Sequence, residues 1–224
     1  MMMSLFSMFD PSAMFNIQLN WIIMLFTLII FPNLMWTYNS RISKVLKLIF
    51  YILHKEFSAL FSHNYLYKGS TLICMSIFIF IMNNNITSNF PYTFCCSAHL
   101  SFSLSLSIPI WMSIILFYWM NLNKTMFSHL VPTGTPPILM PLMVMIEITS
   151  NIIRPLALGV RLSANLIAGH LLMALLGNTL NMKTFFFVFI LAIQILFLMF
   201  EFLVAIIQSY VFAVLMTLYS SEIN

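Results

Sequence analysis

Eight side chains in the C-terminal third could handle protons in surroundings that are otherwise apolar: Glu147, Arg154, Arg161, Asn165 and His170, then Gln194, Glu201 and Gln208. A charged group at the centre of a bilayer costs about 2.5–3.5 kcal/mol even on lenient insertion scales, and such groups mark functional sites by default. Histidine titrates near physiological pH, and a desolvated glutamate rises towards it. Arginine stays cationic throughout. Together these types suit the relay of protons past a fixed positive charge.

Their spacing places them on helix faces. At about 100° per residue, positions seven apart nearly coincide. Glu147, Arg154, Arg161 and Ala168 thus share one stripe, and Asn165 lies one turn beyond Arg161. Ala157 and Ala164 keep the surface around the Arg161 guanidinium low. His170, nine residues on, faces elsewhere. Gln194, Glu201 and Gln208 repeat the spacing of seven on the next segment. Structural alternatives stand beside these readings. The alanines fit plain close packing between helices. Arg154, beside Pro155, could pair with Glu147 or with backbone carbonyls, and His170 with Glu201 as a buried ion pair. Arg161 is hardest to explain structurally, because a buried charge without a function is costly.

The segments that must hold these residues are long. Residues 137–177 and 184–219 predict helices of about 62 and 54 Å at about 1.5 Å per residue, against a hydrocarbon core about 30 Å thick. Such helices must tilt strongly or bend, and Pro141 and Pro155 permit bends in the first. Upstream, 15–36 predicts a first span. Residues 40–68 predict an interfacial amphipathic segment, with Ile42, Val45, Leu46, Ile49 and Leu53 at helical spacing and lysines between them. Further spans are predicted over 71–92 and 100–120. The first of these must run through Asn83-Asn84-Asn85, whose amides need partner helices. LSFSLSLS at 100–107 alternates like a strand, but a lone strand in lipid leaves its edges unpaired, so helix is expected. FSHLVPTGTPP at 127–137 is a Pro/Gly-punctuated connection.

Composition sets the class. Of 224 residues, 62% are hydrophobic and 6% charged, and mean hydropathy is +1.01; soluble domains carry about 25% charged residues. An all-α polytopic membrane protein follows, with about five membrane helices in a single membrane domain over 1–224. The net charge of +4 is no nucleic-acid signal. Arg41, Lys44, Lys47, Lys55 and Lys68 cluster in one stretch, which puts that stretch on the inner side, the N-terminus outside and the C-terminus inside. Three cysteines suggest no disulfide framework, and Cys95-Cys96 with His99 matches no familiar zinc spacing. No cofactor is indicated, and no phosphate-cradling glycine loop suggests nucleotide binding. The N-terminus lacks the features of signal and transit peptides. Nineteen methionines against five glycines hint at a skewed codon supply.

Several motifs carry a resemblance: VPTGTPPILMP at 131–141, EITSNIIRP at 147–155, VRLSANLIAGHLL at 160–172, the helix with Glu201 and Gln208, and MFDPS at 8–12. With these the sequence resembles the family of F-type ATP synthase a subunits, in their mitochondrial form, closely over about the last hundred residues and by hydropathy alone over 37–110. The resemblance implies a non-catalytic stator subunit beside a rotating ring of small c subunits. Arg161, in its RL-x-AN context, falls where the family places its essential arginine. Asn165, His170, Glu201 and Gln208 fall at its outer half-channel and Glu147 at its inner one, with Arg154 and Gln194 supporting. It implies the inner mitochondrial membrane, an N-terminus in the intermembrane space and a C-terminus in the matrix, with organelle encoding. Peripheral-stalk and other membrane subunits and lipids are the implied partners; nucleic acid and nucleotide are not. A self-contained channel or transporter would show related halves with broken helices, and no internal repeat is present. A passive assembly subunit of a respiratory complex would not need the charged stripe.

Overall fold

A computed structural model describes residues 5–12, 18–30, 40–61, 69–90, 93–131, 134, 136–179 and 187–221. Among them the chain is helical and without strands. The main helices are α1 (Ile22–Ile30), α2 (Arg41–Leu60), α3 (Ser70–Ser88), α4 (Leu100–Asn121), α5 (Asn123–His129), α6 (Met140–Thr179) and α7 (Phe187–Ser221). Four of these, α3, α4, α6 and α7, are long and apolar enough to cross a membrane. Where the sequence predicts a fifth span over 15–36, the described helix is the nine-residue α1; residues 13–17 and 31–39 lie outside the described residues. Two further boundaries differ. The connection expected at 127–137 begins inside α5, and the second span ends at Ser88 rather than Tyr92. Tyr92 and most of the link between α6 and α7 are also outside the described residues.

Local chemistry accounts for the elements. Ser40 caps α2, its side chain accepting the Ser43 N–H at 3.2 Å. Phe57 and Phe61 then anchor α2 in an apolar cluster with Cys74, Met75, Phe78 and Ala213. Gly69, at φ +91°, makes the left-handed corner that starts α3. Two of the three asparagines of α3 find partners on other helices, as hydrocarbon demands. Thr27 Oγ1 of α1 donates to Asn84 Oδ1 at 3.2 Å, and Asn85 Nδ2 donates to the Ala205 carbonyl of α7 at 3.4 Å. LSFSLSLS is helical, and its small residues make a seam. Ser103 and Ser107 of α4 are buried, and a Cβ on Gly159 of α6 would come within 2.9 Å of Ser107 Oγ. Close approach through small residues is how helices pack when lipid supplies no hydrophobic drive.

α3 packs chiefly on α7 and α4 on α6, with α6 and α7 also in contact. The central cluster joins Ile81, Cys95, Ala98, Leu158, Leu162, Leu166, Phe212 and Met216. Almost none of the most apolar stretch of α7 is buried, which leaves a surface suited to lipid or to other subunits. At about 1.5 Å per residue, α6 and α7 are about 60 and 52 Å long.

Candidate functional site

The stripe on α6 divides. Its upper part lies on the open surface: Ala157, Arg161, Ala164, Asn165 and Ala168 are all exposed, while Leu158, Leu162 and Leu166 turn into the core. Among the described residues the Arg161 guanidinium has no hydrogen-bond or ion-pair partner. A permanent cation thus stands on a surface of small apolar side chains, in a helix fit to cross a membrane.

Asn165, one turn along, reaches sideways instead. Its Nδ2 donates to Gln208 Oε1 of α7 at 3.0 Å. Gln208 is 7% exposed, so the bond ties α6 to α7 beside the guanidinium. Hydrogen bonds between membrane helices contribute about 0.6 kcal/mol on average and up to about 1.7. Asn165→Leu and Gln208→Leu are each expected to loosen the pair by about that much, and the double variant to cost little more than either alone. Thermal unfolding of the purified assembly checks this; simple additivity would deny the coupling.

The lower part of the stripe faces a cavity of about 350 Å³. Glu147, Asn151 and Arg154 line it from α6, Trp111, Ile114 and Tyr118 from α4, and Tyr219 from α7. The Arg154 Cζ lies 5.1 Å from the Tyr219 ring centroid, a cation–π contact. The Tyr118 hydroxyl is buried with no partner among the described residues. A carboxylate, an amide, a guanidinium and two phenols around this volume make a place for water inside an apolar bundle.

Beyond Arg161 in the other direction stand His170 and Glu201. His170 is half-buried, and Phe9 meets its ring edge-on at 6.3 Å between centroids. The MFDPS segment thereby packs on α6. Within it Ser12 N–H donates to Asp10 Oδ1 at 3.0 Å, which holds that exposed carboxyl below the ordinary carboxylate range. The buried ion pair considered for His170 and Glu201 is not formed: His170 Nε2 and Glu201 Oε1 both lack a partner among the described residues. The Glu201 carboxylate rests on Gly169, where any Cβ would collide with it. Gln194, two turns before Glu201, is half-buried.

Three residues of consequence carried no signal in the helical spacing. Gly169 is the notch under Glu201, Phe9 covers His170, and Tyr219 holds Arg154. For Gly169 a hint existed: glycine weakens a helix interior by about 1 kcal/mol against alanine, so one in mid-span suggests a close approach. Cys74, Cys95 and Cys96 are buried free thiols, and burial pushes Cys96 up to about 11. His99 forms an aromatic triangle with Trp21 and Phe94, 5.2 Å from each, and those two rings lie 5.7 Å apart. Among the described residues no three metal-ligating side chains converge.

Comparison with known proteins adds a family and its relatives. The family described as ATP synthase A chain matches residues 14–221. The chain is 52% identical to ATP synthase subunit a of Drosophila simulans over the full length of both chains. It is 51% identical to that of Aedes aegypti and 50% to that of Anopheles gambiae, again with each chain fully covered.

Proposed function

The chain belongs to the ATP synthase A chain family, and from that premise we propose how this membrane subunit couples proton transport to ATP synthesis. It works within a multi-subunit complex, and the chemistry on ATP belongs to other chains. Its place is the inner mitochondrial membrane, with the Lys-rich α2 and the C-terminus on the matrix side, and its moving partner is a ring of c subunits bearing buried carboxylic acids.

Two offset half-channels meet the ring on either side of Arg161. The outer one delivers protons through His170 and Glu201. The inner one is the cavity with Glu147. Along α6, Glu147 lies about 21 Å from Arg161 and His170 about 13 Å the other way, at about 1.5 Å per residue. Neither path therefore reaches the other without passing the guanidinium. A ring carboxylic acid beside Arg161 loses its proton, because a nearby cation lowers a carboxylate pKa by about 1–3 units. Away from it, in lipid, the acid must be neutral. Loading from one path and release into the other then bias rotation, and the membrane potential supplies about 2.3 kcal/mol per charge per 100 mV. Asn165 and Gln208, joined to each other, fix the face that Arg161 presents.

The observation that carries this reading is the placement of Arg161: exposed, ringed by alanines, and without a partner among the described residues. A charge so placed in a membrane calls for an opposite charge from outside the chain. The test is proton flux through the complete assembly in liposomes. The isolated subunit is expected to conduct nothing and to co-purify with a ring when the assembly is kept intact. Glu147→Gln is expected to slow flux about tenfold without loss of the ring, since cavity water can carry part of the transfer without the carboxylate. Wild-type flux in Glu147→Gln would remove Glu147 from the path, and conduction by the solitary subunit would favour a self-contained channel.

A further inference from the structure

Fixed charge is scarce at the outer face. In the orientation proposed above, Asp10 and Lys183 are the only charged side chains beyond the outer ends of the helices; every other one lies on the inner side or within α6 and α7. Lys183 is outside the described residues. Asp10 is therefore the one anionic side chain that this chain offers to the outer medium, and no other charged side chain precedes Arg41.

The structure sets this carboxylate one residue from a contact with His170. The turn Leu5–Phe9 packs on α6, and Phe9 meets the His170 ring edge-on at 6.3 Å between centroids. Phe9 also packs against the central apolar cluster, whereas Phe6 and Met8 of the same turn are exposed. Asp10 follows, about 3.8 Å further along the backbone, and is exposed. Two bonds hold it. Its Oδ1 accepts the Ser12 N–H at 3.0 Å. Its carbonyl accepts from Asn20 Nδ2 at 3.4 Å, in the turn Leu19–Trp21 that leads into α1. The segment is thereby pinned to α6 at Phe9 and to the approach of α1 at Asp10. Among the described residues Asp10 has no ion-pair partner.

A fixed charge at the mouth of a path with low-dielectric walls raises the local concentration of the opposite charge and speeds its encounter. We propose that the 5–12 segment forms the lip of the outer proton path and that Asp10 is its collecting charge, drawing protons to where His170 takes them up. The inference rests on the outer half-channel reading above and adds to it a segment from the other end of the chain. Asp10 acts through His170 by its field and does not itself hand the proton on. The Ser12 N–H keeps its carboxyl below the ordinary carboxylate range and so ionised. The titratable groups packed nearest are His170 from α6, Glu201 from α7, and Cys95 and His99 before α4. Residues 18–30 contribute none.

The test measures ring-coupled proton flux by the complete assembly in oriented liposomes, with the salt and pH of the medium at the outer face varied. Asp10→Asn keeps the Oδ1 that accepts from Ser12 and removes only the charge. Its flux is expected to fall about fivefold in about 0.01 M salt, where the Debye length is about 30 Å, and to match the wild type in about 1 M, where it is about 3 Å. Asp10→Glu keeps the charge and gives up the short turn, and is expected to retain most of the flux. Asp10→Lys is expected to lose more than Asp10→Asn. Acidifying the outer face until uptake saturates is expected to erase the deficit of Asp10→Asn, whereas acidifying the inner face is not. A merely structural role predicts the reverse order, with asparagine tolerated, glutamate impaired and salt without effect. Wild-type flux in Asp10→Asn at low salt, a deficit that salt does not remove, or one that follows the inner medium would overturn the proposal. If Arg161→Ala uncouples the complex while the Asp10 series is silent, only the collecting role falls. If Arg161→Ala remains coupled, the half-channel reading itself fails.

Discussion

Arg161→Ala is expected to abolish ATP synthesis driven by a proton gradient while leaving the complex assembled. The guanidinium lies on the exposed side of α6 between Ala157 and Ala164, so its removal opens no cavity in the core and breaks no bond within the described chain. What disappears is the field that makes a passing carboxylic acid give up its proton. A shift of about 1–3 pKa units corresponds to about 10- to 1000-fold in the release equilibrium. The barrier that a fixed cation sets against protons crossing directly from one path to the other disappears as well. The variant membrane should therefore leak protons passively and make no ATP from them. Arg161→Lys is a sharper probe, since a desolvated ammonium readily loses its proton whereas a guanidinium does not; it is expected to recover only part of the coupling. ATP synthesis against an imposed gradient in reconstituted liposomes decides the matter. Wild-type coupling in Arg161→Ala would remove the central assignment.

How much of this was legible in the sequence depends on the range of the interaction. Helical periodicity found the Arg161 face, because residues seven apart on one helix report on each other without any tertiary knowledge. It likewise separated His170 from Arg161 and placed Asn165 beside it. The need of Asn84 and Asn85 for partner helices followed from the absence of water in hydrocarbon, and Thr27 and Ala205 supply those partners. Other features lie between distant segments. The bond from Asn165 to Gln208 spans 43 residues, and the walls of the Glu147 cavity come from four helices, α4 to α7. Phe9 meets His170 from the other end of the described chain, 161 residues away. No local pattern specifies such pairings, because each depends on how the helices cross. The heptad count also joined Arg154 to Arg161, whereas α7 turns Arg154 onto Tyr219 and leaves Arg161 open.

Gly169→Ala should separate function from stability more cleanly than any change to a charged residue. A Cβ at this position would fall on the Glu201 carboxylate, with Cδ at 2.8 Å. That group is the end of a flexible side chain, so it can swing away at the cost of a rotamer change, while alanine improves the helix interior by about 1 kcal/mol over glycine. Assembly and thermal stability are thus expected to stay at wild-type level or slightly above. Flux should nevertheless fall about a hundredfold, because a proton-transfer group works only within hydrogen-bond reach of its partners. Gly159→Ala supplies the contrast. Its Cβ would meet Ser107 Oγ at 2.9 Å, Leu104 Cδ2 at 3.0 Å and the Ser103 carbonyl at 3.3 Å. Backbone cannot swing aside, so overpacking of about 1–3 kcal/mol should weaken the α4–α6 seam and reduce the yield of assembled complex. Proton flux per assembled complex, measured beside yield for both variants, tests the pair. Normal flux in Gly169→Ala would mean that the seat of Glu201 on this glycine is incidental. Lost assembly would mean that Gly169 packs the helices as Gly159 does.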